Sequence, residues 1–298
     1  MKGTVLTAYI MTILISSTTP LGIVWSSESV HPSMAVLLRM LIAAILGLAI
    51  IVIRKIEFPR NPTAYKLYAY SGIGIFGGLL LTYMSASYLP SGTISLIFGL
   101  SPIISSLLAS RILGEERFTP VRKVAITTAL FGLSLVCFDS LGFSPNSLLG
   151  LIYLLIAVFF FCLSGVLVKS VKIVIHPLST TVGALIITLP FFAVTWYLMD
   201  GTLVISEWQP RSVWAIIYLG VFGSLIGFVS YFYILQKLPA STVALVTLMT
   251  PITAVIIGVV FNGEIITLKL ALGALLVMLG LGLFLFGNRL RYKVFHKS

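Results

Sequence analysis

Charged side chains are scarce in this sequence. Lysine, arginine, aspartate and glutamate together make up 9% of the residues, whereas 59% are hydrophobic. Soluble domains carry about 25% charged residues, so this chain could not cover its surface in water. The composition therefore excludes an ordinary soluble protein and indicates a membrane protein.

Groups that carry out catalysis or bind metals are also few. The chain has eight carboxylates, three histidines and two cysteines. The carboxylates and histidines fall between apolar runs or at their ends, and none forms a metal-ligand set or a Ser–His–Asp arrangement. Cys137 and Cys162 lie inside apolar runs, which is typical of core residues and not of a disulfide framework. The sequence predicts no enzyme active site, no catalytic residue, no metal and no cofactor.

What the chain has instead is a series of long apolar runs. Each approaches the roughly 20 helical residues needed to cross a bilayer, and no alternating strand pattern suggests a barrel. The first run exceeds the 7–15 apolar residues of a signal peptide and is expected to be retained. We predict an all-α membrane protein with ten transmembrane helices, near residues 4–25, 34–53, 67–86, 92–111, 121–138, 148–168, 178–198, 212–235, 241–261 and 268–287.

Positive charges orient these helices. Nearly all of the 19 lysines and arginines lie at the span ends that share one side of the membrane. Arg211 and Lys269 lie at span ends on the other side. The positive-inside rule predicts a multi-pass protein of the bacterial-type inner (plasma) membrane with both termini in the cytoplasm. The basic tail, 289–298, is expected to contact anionic lipid. Since no basic folded domain remains, nucleic-acid binding is not predicted.

The two halves of the chain repeat each other. Residues 89–115 align with residues 238–264, and identical pairs include Leu89 with Leu238 and Pro90 with Pro239. Each copy contains five spans, so the second copy must enter the membrane upside down. The predicted organisation is a first repeat at 4–138 and an inverted second repeat at 148–288, which is typical of secondary transporters.

These features resemble a known family. The LP…P…GE pattern of the fourth and ninth spans, the TTPLGIVW stretch at 18–25 and the LLRMLIAA stretch at 37–44 are similar to the EamA family of the drug/metabolite transporter superfamily. The resemblance covers residues 4–288 and implies export of amino acids and other small organic metabolites. Val24 departs from the basic residue that the family often has near the end of the first helix.

Matched prolines and glutamates suggest gates. Pro102 and Pro251 lie within the fourth and ninth spans, where proline removes a backbone hydrogen bond and favours a kink. Glu115 and Glu264 end the same spans on opposite sides of the membrane. They are predicted to latch alternate gates through basic residues, with Lys269 as the partner of Glu264. The alternatives are static packing kinks and solvated helix ends with weak surface pairs.

Arg39 is the only charge well inside a predicted span. A charged side chain in the bilayer costs about 2.5–3.5 kcal/mol on insertion scales, so it should face protein or water. It is a candidate contact for a substrate anion. A structural role, in which it snorkels outward or caps carbonyl groups of a neighbouring helix, is the favoured interpretation.

The remaining polar groups are hydroxyls and aromatic rings. In the family, helices one, three, four, six, eight and nine surround the cavity, so the resemblance implies a substrate site among them. Each such residue alone is more typical of packing between helices, and the placement of the group on these helices is what favours a cavity. The candidate cavity residues are Thr19, Trp25, Tyr83, Phe98, Ser101, Ser164, Tyr231 and Thr250.

The predicted function is a secondary transporter that exports small organic metabolites by alternating access. Amino acids, aromatic ones included, or related compounds are the expected substrates. A phosphorylated-sugar or nucleotide-sugar exchanger, a drug exporter and a non-transport scaffold are alternatives. No carboxylate is embedded in a span, which favours uniport or exchange over proton antiport. The expected partners are a small-molecule substrate and membrane lipid, and a monomer would suffice because one chain supplies both halves.

Overall fold

A computed structural model describes residues 3–114, 119–140, 146–238 and 240–295, and in these ranges the regular structure is entirely helical. Nine helical segments of this part are long and apolar enough to cross a membrane, and a shorter apolar stretch, Leu248–Asn262, lies in the remaining span. The ten predicted spans therefore all occur as helices, and the prediction of a multi-pass all-α membrane protein is confirmed.

The first copy contains helices α1 to α7. The third span is built from α3, a π-helical segment and α4, and the fourth span from α5 and α6. The bounds are α1 Gly3–Ser26, α2 Pro32–Arg54, α3 Pro62–Ile73, the π segment Gly74–Gly78, α4 Leu79–Ala86, α5 Ser91–Phe98, α6 Ser101–Ile112 and α7 Pro120–Ser140.

The second copy repeats this order from α8 to α13. Its eighth span again contains a π segment, whereas its ninth span is one unbroken helix. The bounds are α8 Ser147–Ser170, α9 Pro177–Met199, α10 Pro210–Tyr218, the π segment Leu219–Ile226, α11 Gly227–Lys237, α12 Ala240–Asn262 and α13 Leu268–Phe295.

The two copies start their second helices in the same way. A His–Pro pair begins each helix, and the ring Nδ1 of His31 accepts the Ser33 N–H while that of His176 accepts the Leu178 N–H. Proline suits the first turn because its missing N–H would be unpaired there. These two caps align the sequence of α2 with that of α9, so that Ala184 of α9 is the counterpart of Arg39 of α2.

Equivalent helices of the two copies pack together. The second span contacts the seventh, α5 contacts α12, and the fifth span contacts the tenth. In addition, α1 packs against α10, α11 and α12 of the second copy, and α8 packs against α3, α4 and α6 of the first. Each copy thus contributes its first helix to the other copy, and the repeat interface runs through the whole bundle.

The fifth and tenth spans, α7 and α13, approach backbone to backbone. A Cβ atom added to Gly132 would lie 2.6 Å from the Val277 nitrogen, and one added to Gly280 would lie 2.6 Å from the Ala129 nitrogen. Glycine is required at both positions because any side chain would push the helices apart. This pair packs against the fourth span, because its Ala129 and Val277 share a buried cluster with Ile103.

Candidate functional site

Glu264 caps the N-terminus of α5 in the other copy. Its Oε1 accepts hydrogen bonds from the Ser91 backbone N–H at 2.9 Å and the Ser91 hydroxyl at 2.6 Å. Its Oε2 accepts the Gly92 N–H at 3.0 Å, and the Asn262 amide donates to Oε1 at 3.3 Å. The first N–H groups of a helix have no partner within it, so a carboxylate there satisfies them and favours the helix dipole.

Two glycines allow the Glu264 carboxylate to reach α5. Gly263 follows the end of α12 with φ of 64°, a left-handed conformation that favours glycine. The chain then turns back, and the Glu264 N–H bonds to the Gly258 carbonyl at 3.2 Å. A Cβ atom on Gly258 would lie 2.5 Å from Glu264 Oε2. The Gly–Glu pair found in the sequence is therefore a turn that points a carboxylate at the other copy.

The partner of Glu264 differs from the predicted one. The predicted ion pair is with Lys269, which is an exposed residue at the start of α13. The contacts of Glu264 within the described ranges are instead with Ser91, Gly92 and Asn262. Glu115, the predicted latch of the opposite end, lies outside the described residues.

Trp25 ties α1 to the same end of the bundle. Its indole N–H donates to the Asn262 side-chain oxygen at 2.9 Å, and its backbone carbonyl accepts the Ser212 hydroxyl at 2.7 Å. Trp25 is a predicted cavity residue, whereas the structure places it where the first, eighth and ninth spans meet. We call this region, formed by Trp25, Ser91, Ser212, Asn262 and Glu264, the end seal.

An exposed ion pair borders the end seal. The Arg211 guanidinium contacts Glu28, with Nε donating to Oε2 at 2.8 Å, and the two side chains are 52% and 25% exposed. The Arg211 Cζ also lies 5.5 Å from the centroid of the Trp25 ring. Pairs this exposed contribute about 0–1 kcal/mol, so we expect the part-buried bonds of the end seal to contribute more.

Hydroxyl groups continue these contacts deeper into the bundle. The Ser17 hydroxyl forms a short hydrogen bond with the Thr253 hydroxyl, and the Thr18 hydroxyl lies 2.6 Å from that of Tyr218. They link α1 to α12 and to α10. Together with the end seal they join the two copies from the Glu264 end inward.

The fourth span is interrupted beside Pro102. Helix α5 ends at Phe98, and α6 restarts at Ser101 with Pro102 in its first turn. The Phe98 carbonyl, which the proline would leave free, accepts the Ser101 hydroxyl, and the Ser101 carbonyl accepts the Cys162 thiol at 3.4 Å. The interruption is therefore compensated by a side chain of α6 and one of α8.

Its counterpart Pro251 behaves differently. Helix α12 runs without a break through Pro251, so the matched prolines do not give matched interruptions. The break in the fourth span nevertheless lies against Pro251, because a Cβ atom added to Gly99 would lie 3.1 Å from Pro251 Cγ. The break in the fourth span faces the proline of the ninth.

The two halves of the fourth span are packed to different degrees. In α5 every residue from Ser91 to Ile97 is buried, whereas in α6 only Ile103 and Ala109 are. The segment next to the end seal is thus enclosed on all sides, and the segment beyond the break is not.

The other predicted cavity residues have varied roles. The hydroxyls of Thr19 and Thr250 bond to carbonyls one turn earlier in their own helices, at 2.7 Å in each case. The Ser164 hydroxyl donates to the Tyr70 carbonyl at 2.7 Å, so this residue joins α8 to α3. Phe98 packs edge-on against Phe161, with ring centroids 5.3 Å apart.

Arg39 and Tyr83 are brought together in the structure. Arg39 is 1% exposed and Tyr83 is fully buried, and the guanidinium carbon lies 5.9 Å from the ring centroid. Tyr231, by contrast, is 37% exposed. Within the part of the chain that the structure describes, no three or more His, Cys, Asp or Glu side chains gather as a metal site.

Several residues of the site carry no clear signal in the sequence. Nothing in the sequence distinguishes Asn262, Ser91 and Ser224 from other polar residues of the spans, and the repeat at Gly263–Glu264 points only to the neighbourhood of Asn262. The π segments of the third and eighth spans are not predicted either, because glycines such as Gly74 and Gly223 are equally typical of close helix packing.

Comparisons with known proteins agree with this architecture. The EamA-like transporter family matches the chain twice, over residues 3–138 and 148–286. A solved structure, titled only as a crystal structure of a protein, has a TM-score of 0.68 at 20% identity and covers 97% of this chain and 99% of its own. At this identity the likeness concerns the fold alone.

Curated relatives are distant. An uncharacterized transporter of Archaeoglobus fulgidus is 24% identical, covering 87% of this chain and 91% of its own length. The uncharacterized transporter YyaM of Bacillus subtilis is 27% identical, with 84% and 83% covered. A probable amino-acid metabolite efflux pump of Escherichia coli is 25% identical, with 69% and 71% covered. With two matches that together span most of its length, the chain belongs to the EamA-like transporter family.

Proposed function

We propose that this transporter exports small organic metabolites, amino acids or related compounds in particular, by alternating access across the inner (plasma) membrane. The bias of lysine and arginine toward alternate helix ends supports cytoplasmic termini. In that orientation the end seal lies on the outer side of the membrane. The weakly packed α6 half of the fourth span then lies toward the cytoplasm.

The observation that carries this proposal is the contact of Glu264 with Ser91 and Gly92. It joins opposite copies at one end of their interface, while the fourth span is only partly buried beyond its break. A carrier needs one closed and one open end, and inverted repeats can exchange these states by rocking one bundle against the other. The described conformation fits the inward-facing state of such a cycle.

The substrate class is supported by two lines of reasoning. One relative carries the name of a probable amino-acid metabolite efflux pump. In addition, the interior around the break offers aromatic rings and hydroxyls, Phe98 and Ser101 among them, which suit a small organic molecule. A sugar-phosphate exchanger would require several cations facing the cavity, and the described spans bury one, Arg39.

Coupling to protons through a membrane-embedded carboxylate is not part of the proposal. The carboxylates that the structure describes lie in loops or at helix ends, and Glu264 already accepts bonds from the N-terminus of α5. Exchange or uniport is therefore the proposed mode. A pH gradient imposed on vesicles tests it, because a proton antiporter would respond with accumulation against the substrate gradient.

The experiment that tests the function is transport by the purified protein in liposomes. We expect radiolabelled amino acids, aromatic ones included, to exchange across the vesicle wall faster than in protein-free vesicles. Viologen-like cations and sugar phosphates serve as comparison solutes. Folded, inserted protein that moves none of the amino acids or related metabolites in either direction would overturn the proposal.

A further inference from the structure

Arg39 is held between the third and eighth spans. It begins on α2, its Nε donates to the Ser224 hydroxyl of the eighth span at 2.8 Å, and its guanidinium lies over the ring of Tyr83 on the third. Those two helices belong to opposite copies. The most deeply buried charge of the described spans therefore lies at the repeat interface and not against lipid.

Two polar atoms in this group have no partner. Arg39 Nη1 and the Tyr83 hydroxyl are both inaccessible and form no hydrogen bond. Among the described residues no carboxylate forms an ion pair with Arg39. Burying such groups unpaired is costly, and native proteins retain them where a ligand or a function requires them. A single acceptor group could bond to both Arg39 Nη1 and the Tyr83 hydroxyl, and a negatively charged acceptor would suit both donors.

Packing does not require these polar groups, because the second copy builds the equivalent position without them. The residue equivalent to Arg39 is identified from the aligned histidine caps of α2 and α9. The residues equivalent to Tyr83 and Ser224 are identified from the constant spacing of the repeat in the third and eighth spans. All three are apolar. In place of Arg39, Tyr83 and Ser224 the inverted positions hold Ala184, Phe232 and Ile75.

The backbone around the guanidinium is adapted to this arrangement. Ser224 lies in the π segment Leu219–Ile226, and such segments occur frequently at functional sites. A Cβ atom added to the preceding Gly223 would lie 3.2 Å from Arg39 Nη2. The glycine therefore leaves the space that the guanidinium occupies.

We propose that Arg39 Nη1 and the Tyr83 hydroxyl form a subsite for the carboxylate of the transported substrate. This inference rests on the proposed function and narrows it to monocarboxylates and zwitterions. Guanidinium–carboxylate bonds are charge-assisted, and the phenol donates to the same anion. The Ser224 hydroxyl holds the guanidinium in place and is a positioning residue. Movement of the third span against the eighth admits the carboxylate to the buried pair.

The test compares carboxylic acids with their amides, because each pair differs only at the carboxylate group. Thermal unfolding of the purified protein in detergent, at constant ionic strength, reports binding without requiring transport. We expect phenylalanine and benzoate to raise the unfolding temperature, with apparent affinities about tenfold or more above those of phenylalaninamide and benzamide. Arg39→Gln should remove this preference.

Tyr83→Phe provides a milder variant that keeps the ring and the packing. We expect it to weaken binding of the acids several-fold and to leave the amides unchanged. Tyr218→Phe is the matched control, since it also removes one tyrosine hydroxyl, in the eighth span, that bonds to Thr18 and not to Arg39. A merely structural role would lower the stability of the variants without changing the ratio of acid to amide affinity.

The outcomes separate this inference from the proposed function. Equal affinity for acids and amides in the unaltered protein, or no stabilisation by any carboxylate, overturns the subsite. A preference for acids that survives both Arg39→Gln and Tyr83→Phe overturns it as well. Carboxylate binding that depends on Arg39 in a protein that moves no solute in liposomes would instead overturn the transport function alone.

Discussion

Glu264 and Ser91 lie 173 positions apart in the chain, and the Glu264 Oε1 accepts both the backbone N–H and the hydroxyl of Ser91. The two residues belong to opposite copies of the repeat. The contact therefore joins the end of α12 to the beginning of α5 at one end of the repeat interface. Because it depends on a charge at a helix N-terminus, neutralising that charge should loosen this end of the bundle specifically.

Glu264→Gln is expected to weaken the end seal. The amide keeps one acceptor oxygen but loses the charge that favours the α5 dipole, at a cost of about 1 kcal/mol. The population open at this end should rise roughly fivefold. A reporter cysteine at Thr19, in a protein lacking Cys137 and Cys162, measures this as faster labelling by a membrane-impermeant thiol reagent.

Glu28→Gln is the matched control for that experiment. It neutralises a carboxylate at the same end, but in an exposed pair with Arg211 that contributes little. We expect labelling of the reporter cysteine to change less than twofold. Equal effects of the two substitutions would mean that general surface charge, and not the cap on α5, holds this end closed.

The fold was largely predictable because long apolar runs and the distribution of lysine and arginine are direct consequences of the bilayer. The repeat of Pro102 with Pro251 and of Glu115 with Glu264, with five spans in each copy, indicates the inversion from the amino-acid sequence alone. The interruption of the fourth span at Gly99 was not predictable from that repeat. Its counterpart carries a proline too, and the neighbouring helices decide whether a proline breaks the span.

The candidate site was predicted only in part. The sequence identifies Arg39 as an embedded charge, because such residues are rare in spans, but not its position between Tyr83 and Ser224. It singles out Glu264 but does not indicate the Ser91 and Gly92 N–H groups that this residue binds. A partner close in the sequence, such as Lys269, can be recognised from the sequence alone. The N–H groups at the start of α5 cannot, because Ser91 lies 173 positions away from Glu264.

The hydrogen bond between Trp25 and Asn262 should contribute measurably to stability. Trp25→Phe and Asn262→Leu each remove one partner, and each leaves the other group without its bond. We expect each variant to lose about 1–2 kcal/mol and the double variant to lose less than the sum, by about 1 kcal/mol. Denaturant or thermal unfolding in a defined detergent measures the four states of this cycle. Strict additivity would show that the bond is not a significant contact.

Gly280→Ala should impair the pairing of α7 with α13. The added methyl would lie 2.6 Å from the Ala129 nitrogen, a backbone atom that cannot move without shifting the helix. The expected loss is about 1–3 kcal/mol, seen as a lower unfolding temperature and reduced yield of inserted protein. Gly282→Ala, two residues along the same helix, meets no atom within 4 Å and should be neutral or slightly stabilising.

The contact between Gly99 and Pro251 offers a double-variant test of the break in the fourth span. In Gly99→Ala the new methyl would lie 2.9 Å from the Leu96 carbonyl oxygen and 3.1 Å from Pro251 Cγ, so both stability and liposome transport should fall. Pro251→Ala alone should be tolerated, because α12 is already continuous there. In the double variant the ring that meets the methyl is gone, and we expect part of the loss to be recovered. If Pro251→Ala recovers nothing, the effect of the methyl comes from strain within the fourth span, and the contact between the two spans does not limit the motion of the break.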